Sequence, residues 1–395
     1  RAGIHRYTFP ESENSHLIID IGHKQGESSD VTEAFRKKTG EKELEGYITT
    51  NPEYIKFCDP GNRVKMYFVL QLSKSPENWG SFIDESVREG ESESKGIGNG
   101  MYLSFSTIEG ENVEVLAGLS YTSTENARLN LEKELSGRDF DEVRQDAYAR
   151  WKEMLSRIKV EGGRKEDKLK FYTGLYHALL GRGLASDVNG QYPRNDGTAG
   201  QIPLDENGVP EYHHYNTDGI WGAFWNLGQV WALAYPDYLS EYMQSNLDFS
   251  EETGWLHDGV AAGAYSNGVQ TNFNGLMLAA TYNCGIRDFD IEKAYAAAFK
   301  NETGYSGRDF GSGKYDLHHM VKHGYIPSYD TTISNGWVFN FGTSHTLEFC
   351  FSSFAVAEFA KSLGKDDDYK QLMKQANAYK LLFDPETKFF RPRYA

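Results

Sequence analysis

The periodicity of the chain changes once, near Ser123, and this change constrains the fold more than any other feature. Before it, short runs rich in β-branched and aromatic residues are separated by turn-forming segments, such as residues 58–63 and 88–100. In KMYFVLQL (65–72) two sets of side chains alternate, which is the period of two expected of a strand. After Ser123, apolar residues recur at helical spacing. We therefore expect a multidomain α+β protein that begins with an antiparallel β-sandwich.

The domain boundaries follow from the same change. Residues 1–122 are expected to form the β-sandwich, and residues 123–163 a helical connector in which Thr124 is the predicted N-cap. Residues 164–395 are expected to be helical, and the segments with helical periodicity are 168–182, 220–235, 238–253, 272–285, 291–301, 344–364 and 366–383. Some of these helices are small and apolar nearly all round and others have a charged face. This favours concentric layers, as in an α/α toroid, although an ordinary helical bundle would give a similar pattern.

Charge and composition exclude several classes of partner. The net charge of −16 would repel nucleic acids, so they are not expected to bind. No run of about 18 apolar residues occurs, so no membrane-spanning helix is expected. The sequence lacks the motifs of a P-loop, a serine hydrolase or a zinc protease. The loop pair His213–His214 is expected to be hydrogen-bonded structure and not a metal site.

A long polar loop, residues 186–219, leads into the aromatic-rich stretch DGIWGAFWNLGQVWALAYPDY (218–238). Loops of this length inside a compact domain are usually functional. The tryptophans that follow could be packed core or a platform for a sugar ring. We expect both: Trp231 and Tyr235 in the core, and Trp221 with Trp225, on one helix face, beside a pocket.

Polar and acidic residues recur beside aromatic ones at the predicted helix starts. Carboxylates and amides take up the hydroxyls of a neutral sugar, while aromatic faces pack on its C–H surfaces. The candidate substrate-binding residues are Asp187, Asp218, Trp221, Trp225, Asn226, His257 and Asp258, with Tyr325, Asp330 and Glu348 as further polar or aromatic positions of the same kind. Each has a structural alternative: an N-cap for Asp218, an Asx turn for Asp187 with Asn189, and a helix-dipole partner for Glu348.

An ordered set of motifs resembles glycoside hydrolase family 92, the bacterial α-mannosidases. The matching segments are RAGIHRYTFP (1–10), LYHALL (175–180), SDVNGQY (186–192), CGIRDFD (284–290), GYIP (324–327), TLE (346–348) and LFDPETKFFRPR (382–393). The resemblance implies a β-sandwich, a helical connector and an (α/α)6 catalytic toroid. It also implies an inverting, Ca2+-dependent exo-α-mannosidase that acts on mannose-containing glycans outside the cytoplasm, in the periplasm, at the cell surface or as a secreted protein.

Two positions depart from the family pattern. Where the family commonly has Trp-Asp-x-x-x-Arg, this chain has Trp221 followed by Gly222 and, four residues later, Asn226. Where many members have Gly-x-His, the chain reads Thr-Asn-Phe (271–273). The acidic residue that would hold the sugar is thus missing at position 222, so Asp218 is expected to replace it, or the substrate differs.

The catalytic residues are expected elsewhere. The resemblance places the general acid, the general base and the calcium ligands in segments that follow the FFRPR element, and none of these motifs occurs in residues 1–395. No metal ligand is therefore predicted within this chain, and the chain is expected to be truncated at both ends. The leading prediction is an exo-acting inverting α-mannosidase. The alternatives are another (α/α)6 glycosidase, such as a rhamnosidase or glucosidase, or a non-catalytic glycan-binding module.

Overall fold

The computed structural model describes residues 1–24, 29–53, 55–56, 58–180, 183–216, 219–266, 271–308, 312–328, 333–334, 337–338 and 341–395. The chain divides into two compact units. The first comprises Arg1–Lys56 and Gly61–His213, and the second comprises Phe57–Pro60 and His214–Ala395.

The first unit begins with antiparallel strands. Their bounds are β1 (Ala2–Phe9), β2 (Ser12–Asp20), β3 (Ser29–Lys38), β4 (Glu43–Pro52), β5 (Val64–Leu72), β6 (Asn78–Ile83), β7 (Ser86–Glu89), β8 (Glu93–Lys95), β9 (Asn99–Thr107) and β10 (Glu111–Ser120). A six-stranded sheet has the order β1-β10-β5-β4-β3-β8, and a four-stranded sheet has the order β2-β9-β6-β7. The predicted antiparallel β-domain is confirmed.

Side chains from both sheets form one core. Alternate residues of β9, Met101, Leu103 and Phe105, are fully buried, as the period of two requires. They pack with residues of β4, β5 and β10, including Leu44 and Leu72 from the other sheet. Because apolar side chains of both sheets meet in this cluster, the two sheets form a sandwich.

Helices follow the sandwich within the first unit, namely α1 (Thr124–Leu135), α2 (Phe140–Leu155) and α3 (Lys165–Leu179), together with the short hairpin β11 (Gln191–Pro193) and β12 (Ala199–Gln201). Helix α1 packs Ala127 and Leu131 against Val69 of β5. Its N-cap is Ser123, whose hydroxyl accepts from the Asn126 N–H at 3.0 Å, so the predicted N-cap at Thr124 is wrong by one residue. Thr124 is instead the first helical residue.

The second unit is mainly helical. Its described elements are a 3-10 turn (Ile220–Gly222), α4 (Leu227–Ala234), α5 (Pro236–Thr253), β13 (Gly259–Ala261), β14 (Ala264–Ser266), α6 (Phe273–Asn283), α7 (Ile291–Thr303), α8 (Leu317–His323), β15 (Ile333–Ser334), β16 (Trp337–Val338), α9 (Gly342–Ser362), α10 (Asp366–Ala376), a second 3-10 turn (Ala378–Leu381), β17 (Phe383–Asp384) and β18 (Phe389–Phe390). Helix α5 ends at Thr253, and its C-cap is Gly254, whose φ of +79° is the left-handed conformation typical of a glycine at this position. In the described ranges, no helix has both the length and the apolar character needed to cross a bilayer.

The predicted helix over 220–235 is not continuous, and this prediction is corrected. The 3-10 turn ends at Gly222, and α4 starts only after Asn226, whose φ of −152° is not helical. Glycine and asparagine are poor helix formers. In addition, the Phe224 ring stacks on the ring of Phe273, with centroids 4.6 Å apart. Trp221 and Trp225 therefore do not lie on one face of a common helix.

The prediction that Trp231 and Tyr235 lie in the core is confirmed. Trp231 and Tyr235 are completely buried, as is Tyr242 of α5. The Trp231 ring meets Tyr238 and Tyr242 edge-on at 5.1 and 5.3 Å between centroids. These are favourable aromatic geometries for a core.

Candidate functional site

The candidate site is built around the first turn of α6. A helix start leaves four N–H groups without intrahelical acceptors, and here two side chains supply acceptors. Asn272 is the N-cap, and its Oδ1 accepts from the Gly275 N–H at 3.0 Å. Asp258 comes from the segment after α5, and its Oδ1 accepts from the Asn274 N–H at 3.0 Å. Asp258 therefore links two separate parts of the second unit.

Burial dominates the electrostatics of Asp258, which is 1% exposed. Burial raises the pKa of its carboxyl to about 8, while the N–H groups of Asn274 and Phe273 lower it by less. The second oxygen, Oδ2, is buried and has no hydrogen-bond partner within the described part of the chain. The same is true of Oδ1 of Asn274 and of the Thr271 hydroxyl. At neutral pH Asp258 is therefore mainly an uncharged carboxyl that is buried beside the start of α6.

A backbone hydrogen bond links the turn that carries Trp221 to Asp258. The Ile220 N–H donates to the Asp258 carbonyl oxygen at 2.6 Å. A Cβ atom added to Gly259 would lie 3.3 Å from Cζ3 of Trp221, and one added to Gly219, at φ +66°, would lie 2.9 Å from Cζ2. The indole therefore rests on the backbone of two glycines, with its side chain half-buried. A larger residue at either position would push the ring away.

His257 belongs to an aromatic cluster beneath the β13–β14 hairpin. Its ring lies 3.9 Å from the ring of Tyr265 and meets Phe249 edge-on at 5.4 Å. Its Nδ1 is 3.1 Å from the Trp255 carbonyl oxygen, and the residue is 1% exposed. Asp258 is bonded to the turn that carries Trp221, whereas the imidazole of His257 lies in the core.

Trp225 and Asn226 lie apart from this arrangement. Trp225 is 70% exposed and contacts Phe224, with ring centroids 4.8 Å apart. Asn226 is exposed and begins α4 without a side-chain capping bond. Their predicted place beside Trp221 depended on a continuous helix, which the break at residues 223–226 removes.

Asp187 lies in the first unit, where its carboxylate is fully engaged by protein groups. Oδ2 accepts from the hydroxyls of Ser120 at 2.9 Å and Thr122 at 2.5 Å, and Oδ1 accepts from Asn130 Nδ2 at 2.7 Å. Burial raises the pKa of Asp187 and these three bonds lower it. With 2% exposure and both oxygens occupied, Asp187 anchors its loop to the connector, and this geometry does not support substrate binding. The Asx alternative holds for Asn189, whose Oδ1 accepts from the Gln191 N–H at 3.1 Å.

The remaining predicted positions are scattered. Asp218 and Asp330 lie outside the described residues. Tyr325 is buried, and its hydroxyl donates to the Tyr394 carbonyl oxygen at 2.7 Å. Glu348 is half-buried in α9; burial raises its pKa and the charge of His345 lowers it.

Sequence analysis missed the amide network behind the site. Nδ2 of Asn274 donates to Asn246 Oδ1 at 2.8 Å and to the His257 carbonyl oxygen at 3.0 Å. Nδ2 of Asn272 donates to Oε1 of Glu302 at 2.8 Å, and Glu302 forms a completely buried ion pair with Lys314. The polar residues inside the apolar run TNFNGLML (271–278) were the available signal, because buried amides need partners.

The described residues contain no group of three or more His, Cys, Asp or Glu side chains placed to hold a metal ion. Calcium normally takes six to eight oxygen ligands, several of them carboxylates. Nδ1 of His214 lies 3.6 Å from Oδ2 of Asp248, and both side chains are largely buried.

Two models of one protein family match the chain, one after the other. The family model for the glycosyl hydrolase family 92 N-terminal domain matches residues 1–120, and the model for the catalytic domain of that family matches residues 126–395. Among curated proteins, an uncharacterized secreted glycosidase of Arthroderma benhamiae is 25% identical over 316 residues, which are 75% of this chain and 35% of that protein.

Solved structures give the same result. A family GH92 alpha-mannosidase from Bacteroides thetaiotaomicron, in complex with mannoimidazole, is 25% identical with a TM-score of 0.86 over 100% of this chain and 49% of that one. A family GH92 inverting mannosidase from Bacteroides thetaiotaomicron VPI-5482, 23% identical, shares the fold with a TM-score of 0.83 over 100% of this chain and 50% of that one. The chain thus spans about half the length of these structures. Since the catalytic-domain model covers most of the sequence, the chain belongs to glycosyl hydrolase family 92.

Proposed function

We propose that this chain is part of a glycoside hydrolase that acts as an exo-acting, inverting α-mannosidase and removes terminal mannose from glycans. The observation that carries the proposal is the match of both family domains, in order, over residues 1–120 and 126–395. The α-mannosidase named among its structural relatives, at 25% identity, supports the substrate class.

Within this chain, the proposed contribution is sugar positioning. Trp221 is the proposed aromatic platform, because its indole is half-buried and held by the backbone of Gly219 and Gly259. An aromatic face of this kind packs against the C–H surface of a hexose. Gly222, next to it, is exposed and offers no carboxylate, so the proposed site recognises hydroxyls through other groups.

Inversion needs a general acid and a general base on opposite sides of the bond, about 6.5–9.5 Å apart, with a water between the base and the sugar. We assign neither role to a residue of this chain. Asp258 is buried and already bonded to Asn274, so it is not proposed as either group.

Calcium dependence is proposed from family membership alone. Among the described residues no group of three or more His, Cys, Asp or Glu side chains is placed to hold a metal ion, and no step of the reaction is derived through calcium. Secretion is proposed likewise, from the name of the Arthroderma benhamiae relative and from the family; the periplasm or the cell surface are its bacterial equivalents.

The experiment is an assay of the protein on α-mannosides with and without EDTA. The expected result is calcium-dependent release of single mannose units from the non-reducing end of a labelled oligomannoside. The first product should be the β-anomer by proton NMR, because inversion changes the anomeric configuration. Release of the α-anomer, cleavage within the oligomannoside, or activity only on rhamnosides or glucosides would overturn the proposed specificity.

The second candidate, a non-catalytic glycan-binding module, is favoured by the absence of an assigned acid–base pair in the chain. A glycan array probed with the 395-residue chain distinguishes the two. Binding of mannosides without turnover supports the module, and turnover supports the enzyme.

A further inference from the structure

The amide of Asn274 has a fixed orientation. Its Nδ2 donates twice, to Asn246 Oδ1 and to the His257 carbonyl oxygen. Asn246 is fixed in turn, because its own Nδ2 donates to the Tyr242 carbonyl oxygen at 2.7 Å. Oδ1 of Asn274 is therefore an acceptor, and it is buried without a donor in the described part of the chain.

Asp258 likewise has a buried oxygen that lacks a hydrogen-bond donor within the described residues. Its Oδ1 accepts from the Asn274 N–H, whereas its Oδ2 is buried and has no partner within the described residues. Two residues that are already bonded to each other thus each retain a buried acceptor and lack a donor. Buried polar atoms are rarely left in this state, because the desolvation penalty is not recovered. One proton on Oδ2 would turn an acceptor into a donor and could satisfy both.

We propose that Asp258 is a positioning residue of the sugar site: its Oδ2, acting as a hydrogen-bond donor to Oδ1 of Asn274, holds the turn that carries Trp221 against the start of α6. The part that concerns sugar rests on the proposed function of Trp221. The coupling to Trp221 runs through the Ile220 N–H, which donates to the Asp258 carbonyl oxygen, and through Gly259, on which the indole rests.

The surroundings favour the protonated form. Among the described residues, burial and the backbone N–H groups of Asn274 and Phe273 act on the pKa of Asp258, and no charged side chain is among these influences. The Asn274 N–H of α6 donates to the Asp258 carboxyl, and the Asn274 amide in turn donates to Asn246 of α5. The ring of the preceding residue, His257, lies 3.9 Å from the ring of Tyr265. Above a pH of about 8 the donor is lost and a carboxylate faces the Asn274 oxygen.

The test is tryptophan fluorescence of the 395-residue chain from about pH 6 to about pH 10, a range that brackets the expected ionisation. Trp221→Phe identifies the part of the signal that comes from Trp221. Wild type should show a Trp221-dependent change with a midpoint near 8. Asp258→Asn, whose amide donates at every pH, should keep the low-pH signal throughout, and Asp258→Ala should show the high-pH signal at all pH values.

Three outcomes would overturn the proposal: a midpoint that persists in Asp258→Asn, an Asn variant that behaves like the Ala variant, or a wild-type signal without pH dependence. The last would indicate that a buried water supplies the missing hydrogens.

Binding of methyl α-mannoside separates this proposal from the proposed function. At one pH unit above the midpoint, the apparent Kd of wild type should rise about tenfold, because about a tenth of the molecules keep the competent arrangement. Asp258→Asn should show no such rise. If the fluorescence behaves as expected but methyl α-mannoside binds at no pH, the proposed hydrogen bond is supported and the proposed mannose site is wrong. If the sugar binds with the same Kd at all pH values, the positioning role fails.

Discussion

The Asn274 N–H donates to Oδ1 of Asp258 at 3.0 Å, and this bond ties the segment after α5 to the first turn of α6. The same aspartate accepts the Ile220 N–H through its backbone carbonyl. One residue therefore fixes both the helix start and the turn that carries Trp221. The stability of this part of the second unit should depend on the state of a single carboxyl group.

The first prediction concerns the pH dependence of stability. The folded-state pKa of Asp258 is raised, to about 8 from 3.8, so the folded protein holds the proton more tightly than the unfolded chain does. This contribution is complete below the unfolded pKa and is lost as pH rises through the folded one. Between about pH 6 and pH 8 the free energy of unfolding should fall by roughly 2–3 kcal/mol from this group. Asp258→Asn should remove that slope.

The measurement is urea denaturation of wild type and Asp258→Asn at several pH values, with the difference between the two free energies as the readout. Other titrating groups contribute to both proteins and cancel in the difference. Two curves that run parallel across this range would show that Asp258 does not titrate as the structure indicates.

The second prediction uses Asp187 as a matched control. It is also a buried aspartate, but both of its oxygens must accept hydrogen bonds. Its two oxygens accept from Ser120, Thr122 and Asn130, so an amide NH2 at this position would face a donor. Asp187→Asn should therefore destabilise the chain by about 1–3 kcal/mol, whereas Asp258→Asn at about pH 6 should cost less. Equal losses in urea denaturation would mean that the amide is no better tolerated at Asp258 than at Asp187.

The third prediction concerns the buried ion pair between Glu302 and Lys314. Both side chains are completely buried, and Lys314 Nζ also donates to the Phe349 carbonyl oxygen and to the Ser353 hydroxyl, each at 3.1 Å. Burial lowers the pKa of Lys314 more than the contacts with Glu302 raise it. Glu302→Gln or Lys314→Met alone leaves a charge unpaired in the interior, and each should cost about 3–5 kcal/mol.

A double-mutant cycle checks this. Glu302→Gln combined with Lys314→Met removes both charges, so its loss in the free energy of unfolding should be smaller than the sum of the two single losses. Additive losses would mean that the two charges do not stabilise each other.

The sequence predicted the layout well because that layout depends on local periodicity. Strands such as β9 and helices such as α9 bury alternate or helically spaced side chains, and that spacing can be read from the chain alone. The break in the 220–235 segment could not be read in this way. It is set by Phe224 stacking on Phe273, a contact between residues distant in sequence.

The candidate site also depends on contacts between distant residues, which the sequence alone does not show. Asp258 and Trp221 were selected because acidic and aromatic residues stood near predicted helix starts. Amides within an apolar run, such as Asn274, indicate buried polar groups, but the sequence does not show that Asn274 bonds to Asn246. Asp187 was selected on the same grounds as Asp258, but its three partners lie in the segment around the connector and make it an anchor.

The last prediction separates the tryptophans of the aromatic stretch. Trp231 is completely buried, so Trp231→Ala should cost about 3–5 kcal/mol of unfolding free energy. Trp225 is 70% exposed, and Trp225→Ala should change stability by only about 0.5 kcal/mol. Trp221→Ala should weaken binding of methyl α-mannoside far more than it lowers stability, because its half-buried ring rests on glycine backbone and is the proposed sugar platform. Urea denaturation and sugar titration of the three variants test this order. If Trp221→Ala unfolds the chain as Trp231→Ala does, with no selective loss of binding, Trp221 belongs to the core.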